Sequence, residues 1–128
     1  MRLLLDTNIV LLLLRQDLEK QQPKLAGRLA DPASFGLVSV ASLWEIAIKT
    51  RLGKLDPGMP LDDIAAFLIE LGVSLLPIDA RHVITAIDPE PRTRDPFDRL
   101  LLAQCQVEEL KLVTLDRALL AHRLALKV

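Results

Sequence analysis

The sequence predicts an α/β fold, a three-layer α/β/α sandwich around a central parallel sheet of four to five strands. Short apolar runs alternate along the chain with longer segments of helical periodicity. Each apolar run ends at turn-forming or polar residues, which is typical of strands that are buried on both faces of a parallel sheet. Because this alternation builds a sheet covered by helices on both sides, we expect one domain spanning residues 1–128.

The individual elements follow from where these patterns begin and end. Apolar runs predict strands at 1–5, 35–38, 73–78 and 111–114, and a final edge strand at 124–128. The first helix is expected at 9–14 with Asn8 as its cap, and the second at 17–30 with a bend at Pro23. The other helices are expected at 39–53, 62–71, 79–87, 95–110 and 116–122.

Composition narrows the functional classes. The formal net charge of -1 gives no basic footprint for nucleic acid, although acids gathered in one pocket would leave the remaining surface positive. Three Phe, one Trp and no Tyr make base-stacking platforms unexpected. The single cysteine, Cys105, excludes an intramolecular disulfide and is expected as a core thiol. Asp6 interrupts the apolar start, so we expect no signal peptide, no membrane span and a cytoplasmic setting.

Four acids are expected at one edge of the sheet. Asp6 follows the first strand, Glu45 lies early in the helix after the second strand, Asp98 begins a helix, and Asp116 follows the fourth strand. Because the carboxyl ends of parallel strands lie together, topology alone collects these carboxylates. Such a cluster lowers the stability of the folded protein unless hard cations such as Mg²⁺ or Mn²⁺ balance its negative charge. Two ions about 4 Å apart suit phosphodiester hydrolysis by activated water.

Each acid also has a purely structural interpretation. The acid after the first strand could be a turn residue. Glu45 could complete a capping box with Ser42 or pair with Lys49 one turn later. Asp95 fits a helix N-cap better than a fifth member of the site, and Asp116 could cap the helix that follows it. A structural origin for all four site acids together requires them to converge by accident.

Four blocks of sequence resemble the PIN-domain family in the right order. They are LLDTN at 4–8, SLWEIAIK at 42–49, DPFDRLLLAQ at 95–104 and LVTLD at 112–116. More narrowly, they resemble the VapC-type toxins of bacterial type II toxin–antitoxin systems, nearly end to end. The resemblance implies an Mg²⁺- or Mn²⁺-dependent ribonuclease in which the four acids are catalytic metal ligands. Three polar side chains match positions that orient ligands or water: Thr7, Asn8 and Thr114.

The resemblance also implies partners. RNA is the substrate, a homodimer is expected, and a cognate antitoxin would cover the active site and contact DNA through its own domain. The apolar surface for such contacts is expected from residues 9–14 and the helices around Trp44 and Phe67. Five basic side chains are candidates for the RNA backbone, each of them equally open as a solvated surface charge: Lys49, Arg51, Arg92, Arg94 and Arg99.

Other aromatic and histidine side chains are expected to be structural. Trp44 is interpreted as a core or dimer-interface residue, and His82 and His122 as structural or surface residues. Two alternative functions remain. In an aspartyl-nucleophile phosphatase, Asp6 would be phosphorylated, but Asn8 stands where such enzymes need a second acid. A catalytically inactive PIN-fold interaction module is opposed by the presence of all four acids.

Overall fold

The computed structural model describes residues 1–127, which are built around a single four-stranded parallel sheet. The strands are β1 (Arg2–Leu5), β2 (Phe35–Ser39), β3 (Ser74–Leu76) and β4 (Lys111–Val113), in the order β3-β2-β1-β4. In the register, Leu4 of β1 lies between Leu37 of β2 and Leu112 of β4. The order therefore reverses at β1, and its carboxyl end opens into the crevice where parallel sheets bind ligands.

Helices cover both faces of this sheet, which confirms the predicted three-layer α/β fold. They are α1 (Thr7–Leu14), α2 (Leu18–Gln21), α3 (Pro23–Ala30), α4 (Val40–Arg51), α5 (Ile64–Glu70), α6 (Ala80–Ile84), α7 (Pro96–Glu108) and α8 (Arg117–Leu120). A 3₁₀ turn, Leu61–Asp63, precedes α5. None of the helices among residues 1–127 combines the length and the apolarity that crossing a bilayer requires.

Alternation along β1 divides the core into two halves. Leu3 and Leu5 point to one face, where they pack with residues of α1, α3 and α5. Leu4 points to the other face and packs with residues of α7 such as Leu101 and Leu102. All three β1 leucines are at most 1% exposed, as expected for the central strand of a sheet that is covered on both sides.

The start of α1 differs from the prediction. Asn8 was expected as the cap, but Asp6 is the N-cap and its Oδ1 accepts a hydrogen bond from Thr7 N at 2.7 Å. The helix begins directly after the strand, so the first residue beyond β1 has to cap it. The expectation of an apolar surface at 9–14 holds only in part, because Ile9, Val10 and Leu12 are buried in the core while Leu11 and Leu13 are partly exposed.

Two further elements also differ. The helix predicted at 17–30 is two helices, α2 and α3, because Pro23 occupies the first turn of α3 and begins a new helix there. The edge strand predicted at 124–128 is reduced to one bridge between Leu112 and Ala125, and Val128 lies outside the described residues. Leu124 and Leu126 pack into opposite halves of the core, whereas residues two apart in a regular strand share one face.

Candidate active site

Asp6 lies at the carboxyl end of the central strand and is held from two sides. Its Oδ1 accepts from Thr7 N at 2.7 Å, and its Oδ2 accepts from Thr114 Oγ1 at 2.6 Å. Its own amide donates to Val113 O at 2.9 Å, which ties it to the end of β4. The residue is 5% exposed. Backbone and side chain are therefore both fixed, and the carboxylate has one defined orientation.

Thr114 connects Asp6 to the fourth acid. Its hydroxyl donates to Asp6 and accepts from Asp116 N at 3.0 Å. Asp116 caps α8, since its Oδ1 accepts from Ala118 N at 2.9 Å, and it is exposed. The predicted capping role of Asp116 is present, and the same geometry places the residue beside Asp6.

Glu45 is brought to the site by α4. Its Oε1 accepts from Thr7 Oγ1 at 2.7 Å, and its Oε2 accepts from Lys49 Nζ at 2.6 Å, with Glu45 8% exposed. The pairing with Lys49 one turn later is confirmed. The alternative capping box with Ser42 is wrong, because Ser39 is the N-cap of α4 and accepts from Ala41 N at 3.0 Å.

Ser42 has a different role, which sequence reasoning missed. It lies inside α4, is 1% exposed, and its hydroxyl lies 3.1 Å from Thr7 Oγ1. Thr7 therefore meets Ser42 and Glu45 at once, which holds α1 and α4 in register at the site. A polar residue at a buried helical position was the available signal.

Asp98 lies in the first turn of α7 and accepts from Thr93 Oγ1 at 3.2 Å. Asp95 is the N-cap, since its Oδ1 accepts from Phe97 N at 2.8 Å and from Asp98 N at 3.2 Å. The preference for a capping role at Asp95 is therefore confirmed. Thr93 was not identified from sequence, since a lone threonine in an irregular loop carries no pattern.

The acids form one electrostatic unit. Burial raises the pKa of Asp6 above its ordinary 3.8, hydrogen bonds from Thr114 and Thr7 oppose that, and the charges of Glu45 and Asp116 add to it. Burial likewise raises the pKa of Asp98 to about 6, with further increases from Asp95 and Asp6. These effects place the carboxylates in one partly dehydrated region, although within residues 1–127 no three of the four acids have ligand atoms within 4.8 Å of one another. The site carries more negative charge than its own cations balance.

The residues present fit divalent cations. Oxygen donors from four carboxylates are the ligand set of Mg²⁺ and Mn²⁺. Burial, and to a smaller extent neighbouring carboxylates, raise the pKa values of Asp6 and Asp98, and a bound cation would offset both effects. Next to Thr7 on α1, the buried Oδ1 of Asn8 has no hydrogen-bond partner among the described residues. A bound ion or its water would satisfy it.

The five basic residues predicted to contact the RNA backbone fall into two groups. Lys49 is bonded to Glu45, and the hydrogen bond with that carboxylate raises the pKa of Lys49. Arg99 pairs with Glu90 and donates to Thr93 O at 3.0 Å, so it braces the loop before α7. The other three are exposed and make no ion pair or side-chain hydrogen bond within residues 1–127: Arg51, Arg92 and Arg94.

A second group of possible ligands lies elsewhere. Within residues 1–127, Asp79, His82 and Glu108 are the set whose candidate ligand atoms lie within 4.8 Å of one another. His82 Nδ1 already accepts from Asp79 N at 3.0 Å, and Nε2 lies 2.8 Å from Glu108 Oε2. Both ring nitrogens are thus satisfied: Nδ1 lies in the capping box of α6, and the contact of Nε2 with Glu108 joins α6 to α7. His122 is likewise bonded to Pro89 O and Leu124 N, so both histidines are structural.

Cys105 and Trp44 lie outside the acidic cluster and differ in burial. The thiol of Cys105 is buried as expected, and burial raises its pKa. Trp44, expected in the core or a dimer interface, is 60% exposed, so the core assignment is wrong. Its ring packs edge-to-face against Phe97, with centroids 5.6 Å apart.

Comparison with known proteins identifies the family of the chain. No curated protein matches the chain significantly. The family model described as PIN domain matches residues 3–124, which include the four acids and their threonine partners. PIN domains are generally nucleases and generally use divalent metals. Because the match covers nearly its whole length, the chain belongs to the PIN domain family.

Proposed function

We propose that the chain is a divalent-metal-dependent endoribonuclease that acts as the toxin of a type II toxin–antitoxin system. The observation that carries the enzymatic part is the buried, doubly hydrogen-bonded carboxylate of Asp6, whose pKa is raised by burial and by the charges of neighbouring acids, as is that of Asp98. A fold gains nothing from keeping such charges together. They are explained if a cation of higher charge belongs there during function.

Four carboxylates would hold the ions: Asp6, Glu45, Asp98 and Asp116. Ions bound there would supply Lewis acidity, which makes water nucleophilic at neutral pH and offsets charge on the scissile phosphate. The rest of the site orients these ligands. Thr114 sets the rotation of the Asp6 carboxylate, Thr7 that of Glu45, and Thr93 that of Asp98.

The substrate would be positioned by cations outside the acidic cluster. Arg92 and Arg94 lie in the exposed loop that leads to Asp98, and Arg51 ends α4 beyond Glu45. Because they make no ion pair among the described residues, they can bind phosphates without breaking internal contacts. Lys49 and Arg99 are less suited, since each already holds an acid of the protein.

The toxin role rests on the four sequence blocks that resemble VapC-type proteins. An antitoxin segment needs an apolar surface, and an open cleft of about 730 Å³ lies between α1, α3 and α5. Leu13, Leu29 and Phe67 line it, and Glu19 and Asp31 lie among its lining residues. The cleft would therefore suit an amphipathic antitoxin segment with apolar and basic side chains. A homodimer remains part of the proposal.

RNA cleavage with purified protein tests the enzymatic part. We expect cleavage of single-stranded RNA in Mg²⁺ or Mn²⁺, none in excess EDTA, and recovery when metal is restored. Asp6→Asn and Asp98→Asn should lose activity while keeping the fold, and the exposed Asp62→Asn should retain it. Undiminished cleavage in EDTA would exclude the metal mechanism. Phosphate release from a phosphomonoester without RNA cleavage would favour the aspartyl-nucleophile alternative instead.

Expression in bacteria tests the toxin part separately. We expect induction of the wild-type chain to arrest growth and induction of Asp98→Asn to leave growth unchanged. Co-expression with the product of an adjacent short DNA-binding reading frame should restore growth and yield a stable complex. Growth that continues normally with an active nuclease would remove the toxin assignment while the enzyme assignment stands.

A further inference from the structure

We propose that Trp44 and Phe97 form a stacking site for one nucleobase of the substrate strand, beside the carboxylates. This inference rests on the proposed ribonuclease function and names a contact that the acidic cluster cannot make. It concerns a single base position, so it differs from the multi-base platforms that the aromatic content makes unexpected.

Trp44 and Phe97 lie on the two helices that carry Glu45 and Asp98. Trp44 directly precedes Glu45 on α4, and Phe97 directly precedes Asp98 on α7. The two rings meet with centroids 5.6 Å apart and planes at 74°, so the contact joins the two helices that deliver these acids. A strand whose phosphate lies at the carboxylates would therefore have its neighbouring bases within reach of this pair.

The indole ring of Trp44 is largely accessible to solvent. Trp44 remains 60% exposed although it touches Phe97, and it is the only tryptophan of the chain. An edge-to-face pair leaves at least one face of each ring uncovered by the other. Tryptophan is usually well buried, so a largely exposed indole beside a catalytic cluster indicates a partner that binds flat aromatic surface.

Positively charged side chains near the rings in the chain favour a polynucleotide over an apolar partner. Arg51 lies on the last turn of α4, and Arg92 and Arg94 lie in the loop that leads to Phe97. These exposed cations make no ion pair within residues 1–127, and they lie in the chain segments that follow Trp44 and precede Phe97. A nucleotide needs a stacking face and a phosphate contact together, and both are available here.

A second copy of the chain is the competing occupant. Leu52, which is 62% exposed, follows Trp44 and the half-buried Ile48 on one face of α4. That apolar stripe is flanked by Lys49 and Arg51, and charged residues, lysine among them, are depleted in the cores of protein interfaces. The charges therefore favour the nucleotide, and the oligomeric state becomes an outcome of the test.

The test uses Trp44 as its own reporter. In the Asp98→Asn background, where the proposed function predicts binding without cleavage, we expect single-stranded oligoadenylate to quench the tryptophan fluorescence. An abasic ribose-phosphate oligomer of equal length and charge should leave it unchanged. Stacking predicts that Trp44→Leu binds oligoadenylate roughly 5-fold to 150-fold more weakly, that Trp44→Phe restores most of the affinity, and that abasic affinity does not change.

A matched control is Phe35→Leu, which removes a 64% exposed aromatic ring at the amino end of β2, the opposite edge of the sheet. It should bind like the parent. Unchanged fluorescence and affinity while the wild type still cleaves RNA would overturn the stacking site and leave the nuclease assignment intact. Conversion of a dimer to a monomer by Trp44→Leu, with RNA affinity unchanged, would assign the surface to a second copy. Absence of RNA cleavage in any divalent metal would overturn the proposed function and this inference with it.

Discussion

Replacing Asp98 by asparagine should stabilise the metal-free protein, because the acidic cluster lowers stability. The pKa of Asp98 is raised from 3.8 to about 6, chiefly by burial and by the charge of Asp95. At 1.36 kcal/mol per pH unit, a difference of about two units corresponds to about 3 kcal/mol at neutral pH. The residue is partly exposed, and its carboxylate also interacts favourably with the N-terminus of α7. Solvent screening and the helix dipole should reduce the net effect to about 1 kcal/mol.

The stability difference between Asp98→Asn and the wild type should increase with pH. Between pH 4 and pH 6, the folded protein holds a proton on Asp98 more tightly than the unfolded chain does. The free energy of unfolding therefore falls as pH rises through that interval, and it does not recover above it. Asparagine has no such titration. The advantage of Asp98→Asn should thus be near zero at pH 4 and reach about 1 kcal/mol at pH 7.5, or roughly 4 °C in Tm.

Urea unfolding in EDTA at several pH values measures this effect. Asp62→Asn provides the control, since it removes an exposed carboxylate outside the cluster. Adding Mn²⁺ should then reverse the order, because metal binding stabilises the wild type more than a variant that lacks a ligand. The reasoning would be refuted if Asp98→Asn were less stable than the wild type at pH 7.5, or if its advantage did not change with pH.

Three further variants address the contacts that hold the acids. Thr114→Val should lower the free energy of unfolding by about 1–3 kcal/mol, because Asp6 keeps its burial but loses a donor, and an unchanged urea midpoint would contradict this. Lys49→Met should destabilise the metal-free protein by about 1–2 kcal/mol, since it leaves the Glu45 carboxylate without its counterion. In a thermal shift assay, Mn²⁺ should raise the Tm of this variant more than it raises the Tm of the wild type. Arg99→Lys should keep the fold but loosen the loop that carries the Thr93 hydroxyl, which orients Asp98. Faster proteolysis of this loop and a lower kcat should appear together. Normal values of both would exclude the bracing role of Arg99.

Local chemistry made part of this site predictable from the sequence. Asp95 caps α7 as expected and Asp116 caps α8, a role left open for it, because an acid that precedes a first-turn proline or follows a strand satisfies nearby backbone amides. Asn8 and Ser42 were assigned capping roles that belong to Asp6 and Ser39. Each helix begins directly at the end of a strand, and the position of that end depends on pairing with strands far away in sequence.

Long-range placement was not predictable. Thr93 lies in a loop without periodicity, and its contact with Asp98 depends on how Arg99 folds that loop back on α7. The exposure of Trp44 was not predicted either. An apolar residue in a helix is assigned to the core when the direction of its side chain is unknown. The strand ends fixed which acids could meet, while the partners of each acid depended on tertiary packing.

Those partners explain how the site keeps its charge. Three of the four acids accept a hydrogen bond from a threonine hydroxyl: Thr114 donates to Asp6, Thr7 to Glu45 and Thr93 to Asp98. An arginine in any of these places would orient its carboxylate equally well but would also neutralise it. A hydroxyl donates one neutral hydrogen bond, so the carboxylate is oriented and its charge stays available. Only Glu45 also has a cation, Lys49, within residues 1–127. A cluster built in this way is pre-organised for a cation that arrives from solution, at a cost in stability that the Asp98→Asn experiment measures directly.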